Sequence, residues 1–170
     1  MNEKAKYYIS KLQLTPHSEG GYYKEIYRSG EIYKADFLPG RYKKDKCYST
    51  SIYFLLEGDQ VSTFHRLKSD EVWHFYDGSR VKIYIIEESG NLNEILLGNN
   101  LEKGESPQVL IRYNSWFAAE VLDKSSFCLT GCTVSPGFDY EDFELGERNN
   151  LLNRYPQHEE IIKKLTKFSR

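Results

Sequence analysis

Between Tyr22 and Val134 the chain offers no segment long enough, free of turn chemistry, to serve as a helical crossover. A parallel sheet needs such crossovers, so the parallel α/β architectures are excluded. What fills the stretch instead is a series of short runs rich in Val, Ile, Tyr, Phe and Trp, broken by turn residues such as Gly58 and Asp59, Asp77 and Gly78, and Ser89, Gly90 and Asn91. The pattern predicts strands over residues 22–29, 49–56, 62–67, 71–76, 80–87, 93–97, 108–111, 116–122 and 127–134. Many short strands at this spacing build a sandwich or a barrel. Composition agrees: 14 Tyr, 9 Phe and 2 Trp against a single Met favour extended structure. The expected fold class is therefore all-β, in one domain over 1–170, a length that suits a single core.

The two ends read differently. Ala5, Tyr8, Ile9 and Leu12 follow helical spacing, with Asn2 placed to cap them. Ile161, Ile162, Leu165 and Phe168 do the same near the other end, where a helix opens at Pro156 with Glu159 and Glu160 early and Lys163, Lys164 and Lys167 late. That charge order suits the helix dipole and needs no anionic ligand to explain it. The charged stretch 30–46 reads as a surface loop, with cover for a barrel mouth as the alternative.

Several function classes drop out. A formal net charge of −2, with Lys and Arg spread along the chain, supplies no basic stripe for nucleic acid. The longest apolar runs, 51–56 and 81–86, fall far short of the roughly 20 residues of a membrane helix. Residues 1–6 are charged and lead into no apolar stretch, so no secretory signal is read and a cytoplasmic location is expected. Cys47, Cys128 and Cys132 are odd in number and lack zinc-knuckle spacing, so all three are expected as reduced thiols.

Chemistry concentrates in residues 62–78. A β-hairpin there places His65 near the end of one strand and Glu71 near the start of the next, where both can face one interior as an acid/base or ligand pair. Alternation puts Trp73 and Phe75 on the Glu71 side and His74 on the other, unless a bulge resets the strand. Glu25 and Tyr27 share parity on the first strand and can enter the barrel, where an interior Glu needs a partner. Tyr27 and Tyr53 are candidate acids, and Arg66 and Arg28 candidate clamps for a ligand phosphate or carboxylate. His17, Glu19, Gly20 and Gly21 form a polar loop that its glycines explain without a ligand. The acidic run 139–144 is read as a solvated face, without the spacing of a calcium loop.

His65, Glu71 and Gly78 reproduce the frame of the first cupin motif, and RYNSWF at 112–117 sits where the second would fall. More specifically, PHSEGGYY at 16–23, FHRLKSDEVWH at 64–74 and GCTVSPGF at 131–138 together resemble the cupin-5 family, a domain of unknown function. The likeness runs from about Leu12 to Leu165. It implies a jelly-roll barrel with a short helix at each end, similar in fold to sugar-nucleotide epimerases and seed storage proteins, and with His65 and Glu71 at the pocket position. Against the metal-binding cupins, Leu67 stands where a second His is usual and Phe117 where the second motif has its His. Two surviving donors, His65 and Glu71, would hold a divalent ion only weakly, with His74 the one nearby residue to add, so no metal cofactor is expected and a metal-dependent oxygenase or isomerase stands as the runner-up.

Three readings remain open. The barrel is a metal-independent isomerase or epimerase, with His65 as base, Glu71 sharing its proton and a tyrosine as acid, acting on a sugar-like or carbonyl-containing molecule. Or it only binds a small molecule, with His74, Arg66, Trp73, Phe75, Glu25, Tyr27, Tyr53 and Phe117 as further candidate contacts. Or His65 and Glu71 form a structural ion pair. A homodimer is also expected, because the 80–86 strand carries apolar residues on both faces.

Overall fold

The structure is a computed structural model that describes residues 1–167. Helix α1 (Glu3–Leu12) is capped by the Asn2 side chain, which accepts from Lys4 N at 2.9 Å and Ala5 N at 3.3 Å. Fourteen strands follow: β1 (Thr15–Pro16), β2 (Tyr22–Arg28), β3 (Ile32–Tyr33), β4 (Lys46–Cys47), β5 (Thr50–Glu57), β6 (Val61–Leu67) and β7 (Asp70–Gly78). Then come β8 (Val81–Ile86), β9 (Leu92–Leu97), β10 (Glu105–Ser106), β11 (Gln108–Ile111), β12 (Trp116–Val121), β13 (Phe127–Ser135) and β14 (Phe143–Leu145). Helices α2 (Arg148–Arg154) and α3 (Glu159–Lys164) are the last elements among the described residues, with a 3-10 turn at Pro156–His158 before α3.

All nine expected strands are present, with ends moved by a residue or so. They form two six-stranded sheets, β1-β2-β5-β13-β7-β11 and β10-β9-β8-β12-β6-β14. Successive strands β5 to β8, and again β11 to β14, switch sheets at each turn, which is the winding of a jelly roll. Alternation along each strand sends one set of side chains between the sheets, where Phe54, Trp73, Ile83 and Phe117 pack in the main core.

The outward faces are covered too. Ala5 of α1 packs with Leu55, Phe127 and Leu129 on the first sheet. On the second, Tyr84, Ile86 and Trp116 lie under Leu151, Ile162 and Leu165. The two-faced apolar character of 80–86 is thus met within the chain: Val81, Ile83 and Ile85 enter the main core, and Tyr84 and Ile86 meet the C-terminal helices. That strand therefore supplies no argument for a dimer.

Two expectations need correction and a third is refined. The C-terminal region has two short helices rather than one, α2 adding Leu151 and Leu152 to the apolar cover of the second sheet ahead of α3; the expected Phe168 contact lies outside the described residues. The acidic run is a solvated face only in part: Asp139, Glu141 and Glu144 are exposed, but Asp142 is buried against Lys46 Nζ at 2.7 Å and Lys68 Nζ at 2.9 Å, and Phe143 opens β14 beside β6. The stretch 30–46 is largely exposed, as a surface loop is, and is anchored by Tyr42, whose hydroxyl donates to Lys68 O at 2.9 Å, and by the buried Lys46. Among the described residues no helix is long and apolar enough to cross a membrane.

Candidate functional site

A cavity of about 460 Å³ opens between the sheets at the end where β2, β5 and β13 face β6 and β14. Its size is that of a small-molecule pocket. His65 of β6 is buried in its wall, with its ring 4.0 Å from the Phe117 ring and 5.3 Å from that of Phe143. The Nδ1 atom donates to the carbonyl of Thr63 at 2.8 Å, which fixes the tautomer and leaves Nε2 to exchange protons.

The partner of Nε2 is Glu19, not Glu71. Glu19 Oε2 lies 3.1 Å from His65 Nε2 and 3.6 Å from His17 Nδ1, and Glu19 Oε1 accepts from Ser62 Oγ at 2.8 Å. Glu19 reaches the second sheet from the loop between β1 and β2. Its carbonyl accepts from Thr63 N and from Thr63 Oγ1, both at 3.0 Å, and Gly20 follows with φ +119°. A Cβ at Gly20 would stand 2.1 Å from Val61 O, so the close approach of the loop requires this glycine.

Burial pushes the Glu19 carboxyl up to about 7, against the pull of His17 and the Ser62 hydrogen bond. Burial also pushes His65 down to about 4, although the Thr63 carbonyl favours its charged form. Near neutrality the pair therefore carries one exchangeable proton on the carboxyl side, beside a neutral imidazole. Glu71 lines the same cavity from β7, and its Oε2 has no hydrogen-bond partner among the described residues. Burial first, then the charge of Glu19, raises it to about 8, while Cys132 and Trp73 oppose the rise.

The other expected residues scatter. Trp73 and Phe75 do share the Glu71 side, but they pack in or against the core and do not line the cavity. Phe117 backs the His65 ring without lining the cavity. His74 faces outward, as alternation implied, within 3.1 Å of Thr133 Oγ1. Arg66 also lies outside, bonded to Glu144 at 2.7 Å and stacked 4.5 Å over Trp116. Tyr53 turns outward beside Tyr76, at 6.1 Å between rings, because its neighbours Ile52 and Phe54 take the inward positions.

Glu25 and Tyr27 do not share a face. The register of β2 against β5 shifts between them, and Tyr27 is left exposed while Glu25 and Arg28 both line the cavity, paired at 2.7 Å. Sequence reasoning missed Glu19, His17 and the ring wall of Tyr23, Phe138, Tyr140 and Phe143. The available signal was a His and a Glu two residues apart in a loop with two successive glycines, a combination that lets a backbone approach its neighbour closely.

The donor set does not suit a tightly held ion. His65 Nε2 is turned to Glu19, Leu67 and Phe117 offer no ligand atom, and no group of three His, Cys, Asp or Glu side chains among the described residues has metal-binding geometry.

Comparison with known proteins places the chain. Protein SO0799 from Shewanella oneidensis matches at 39% identity with a TM-score of 0.87, covering 99% of each chain. A hypothetical protein from Leishmania major matches at 33% identity and TM-score 0.87, over 96% of this chain and 99% of that one. The uncharacterized protein YML079W of Saccharomyces cerevisiae is 27% identical over 143 residues, 79% of this chain and 71% of that protein. Oxalate decarboxylase from Bacillus subtilis shares the fold alone, at 14% identity and TM-score 0.55, over 88% of this chain and 36% of its own. The model of the Cupin_5 family, described as Cupin superfamily (DUF985), matches residues 6–146, and the chain belongs to that family.

Proposed function

We propose that the cavity binds a small carbonyl-containing or sugar-like molecule and that the Glu19–His65 pair moves a proton on it, as a metal-independent isomerase or epimerase does. The observation that carries the reading is the 3.1 Å contact between Glu19 Oε2 and His65 Nε2 in the wall of the cavity, with Nδ1 already committed to Thr63. A proton-transfer group works best when its pKa lies near the working pH, and Glu19 at about 7 meets that condition. With Glu19 ionised and His65 neutral, the pair takes the proton from a carbon next to the ligand carbonyl, and the C–H electrons pass into the C=O to leave an enolate. Return of the proton to the opposite face gives an epimer; where the first carbon bears a hydroxyl, passage of the hydroxyl proton to the enolate oxygen and return of the first proton to the former carbonyl carbon gives an isomer, with no atom gained or lost. Glu71 thereby loses the role of sharing the His65 proton.

The test is incubation of the protein in heavy water with a panel of small aldehydes, ketones and sugars, with proton NMR reading the loss of C–H signals next to the carbonyl. Exchange should be catalysed for at least one compound and fall roughly 10²- to 10⁴-fold in Glu19→Gln and in His65→Gln. A ligand that occupies the cavity without any catalysed exchange would leave a binding module and end the catalytic reading.

A further inference from the structure

The cavity is built as an acceptor, and its one unmatched group is Glu71. Four carboxyl groups line it. Glu25 is matched by Arg28 at 2.7 Å, Asp139 faces Lys46 at 3.5 Å, and Glu19 meets His65 and Ser62. Glu71 is only 6% exposed, forms no ion pair among the described residues, has the Cys132 thiol and the Trp73 indole beside it, and keeps one oxygen without a hydrogen-bond partner. A buried polar atom in that condition costs free energy until something donates to it. The lining contains no Asn, Gln or Lys among the described residues, and its tyrosine hydroxyls, Tyr23 and Tyr140, bond each other at 3.2 Å. Arg28 is committed to Glu25 and to the carbonyl of Phe138 at 3.1 Å. The ligand must therefore bring a donor or a positive charge to Glu71. Around the same space stand the rings of Tyr23, Phe54, Phe138, Tyr140 and Phe143, and aromatic faces attract cations.

We propose that the ligand is an organic cation, a small molecule whose primary or N-methylated ammonium sits on Glu71 with its substituents against the aromatic wall. The inference rests on the cavity being a small-molecule site and not on the proton-transfer step. An anionic ligand is disfavoured, because the cavity's guanidinium is already paired while Glu71 is not. A plain sugar brings hydroxyl donors but no charge to balance the carboxylate, so within the carbonyl-containing or sugar-like class proposed above the cavity favours a member that carries an ammonium. Groups around Glu71 set the pH behaviour: Glu19 from the loop, the neutral His65 of β6, the Cys132 thiol of β13 and the Trp73 indole on its own strand. In the empty cavity Glu71 holds a proton up to about pH 8. An ammonium selects the carboxylate, so its binding at neutral pH expels that proton and tightens as pH rises from about 6 to about 9.

The test is titration calorimetry of the full chain with choline and with its uncharged isostere, in which carbon replaces the quaternary nitrogen. Glucose, acetate and manganese chloride alone serve as further arms, and two buffers of different ionisation enthalpy count the proton. Choline should bind at least roughly tenfold tighter than the isostere and release a proton. In Glu71→Gln choline should lose roughly 10- to 100-fold in affinity while the isostere is unaffected. Phe138→Leu, which keeps an apolar wall but removes a ring face, should weaken choline and spare the isostere. Equal binding of choline and isostere, choline affinity unchanged in Glu71→Gln, manganese bound in preference to choline, or no binding by choline overturns the proposal. Glucose or the isostere binding in the cavity while choline does not would leave the small-molecule site standing and remove the cation. Failure of every probe to bind there would remove both.

Discussion

Replacing Glu71 by Gln keeps the side-chain shape and deletes only the ionisation. The carboxyl moves from 4.5 in the unfolded chain to about 8 in the folded one, chiefly through burial and then through Glu19. A raised carboxyl pKa means that the folded chain holds a proton the unfolded chain has released. Its contribution to stability is whole below about pH 4.5, declines as pH rises, and is fully lost above about pH 8. At about 1.4 kcal/mol for each tenfold change in the proton equilibrium, the full span corresponds to roughly 4–5 kcal/mol, which relaxation around the charge reduces to roughly 2–4 kcal/mol. Glu19, also raised, adds a decline in the same direction up to about pH 7, and His65, lowered to about 4, opposes it in the acid range. Both are present in either protein, so they largely cancel in the difference. Urea unfolding of the wild type and Glu71→Gln at about pH 5, 7 and 9 should show near-equal stability at the lowest pH. At the highest, the variant should be more stable by the roughly 2–4 kcal/mol just derived. A difference independent of pH, or a variant that loses stability at high pH, would mean that Glu71 is ionised and satisfied in the fold.

Two further outcomes follow from contacts elsewhere. Lys46→Met removes the buried cation that meets Asp142 and Glu141 at 2.7 Å, leaving Lys68 as the remaining partner of Asp142; urea unfolding should show a loss of roughly 3 kcal/mol, and a loss below about 1 would contradict the role given to Lys46. Gly20→Ala places a Cβ against Val61 O at a left-handed φ, so a loss of roughly 2–4 kcal/mol and a shift of the His65 imidazole nitrogen signals are expected, and unchanged spectra would contradict the loop geometry.

The strands were legible because each carries its own apolar and turn residues; their spacing pointed to a sandwich or a barrel, and the jelly roll came from the resemblance to the cupin-5 family. His65 and Glu71 were legible as residues of one interior, because a hairpin fixes which side chains face inward. Their pairing was not. Only the folded loop shows that Glu19 crosses to the opposite sheet, since that crossing depends on the backbone contact of Gly20 with Val61 rather than on any periodicity. Tyr27 was misplaced by a single irregularity in β2, which no side-chain pattern announces. Lys46 and Asp142 looked like surface charges because each lies in a charged stretch, 43–46 and 139–144, and a buried ion pair has no sequence period.

The carboxyl of Glu19 hangs from a loop of the first sheet and the imidazole of His65 from a strand of the second, so their 3.1 Å contact works as a gauge of the gap between the two sheets. A widening of a fraction of an ångström would weaken that polar contact steeply, long before the apolar layer beneath came apart. The exchange behaviour of one imidazole proton should thus register breathing of the whole barrel end, and a molecule wedged between the sheets would retune the acidity of the pair by moving its two halves.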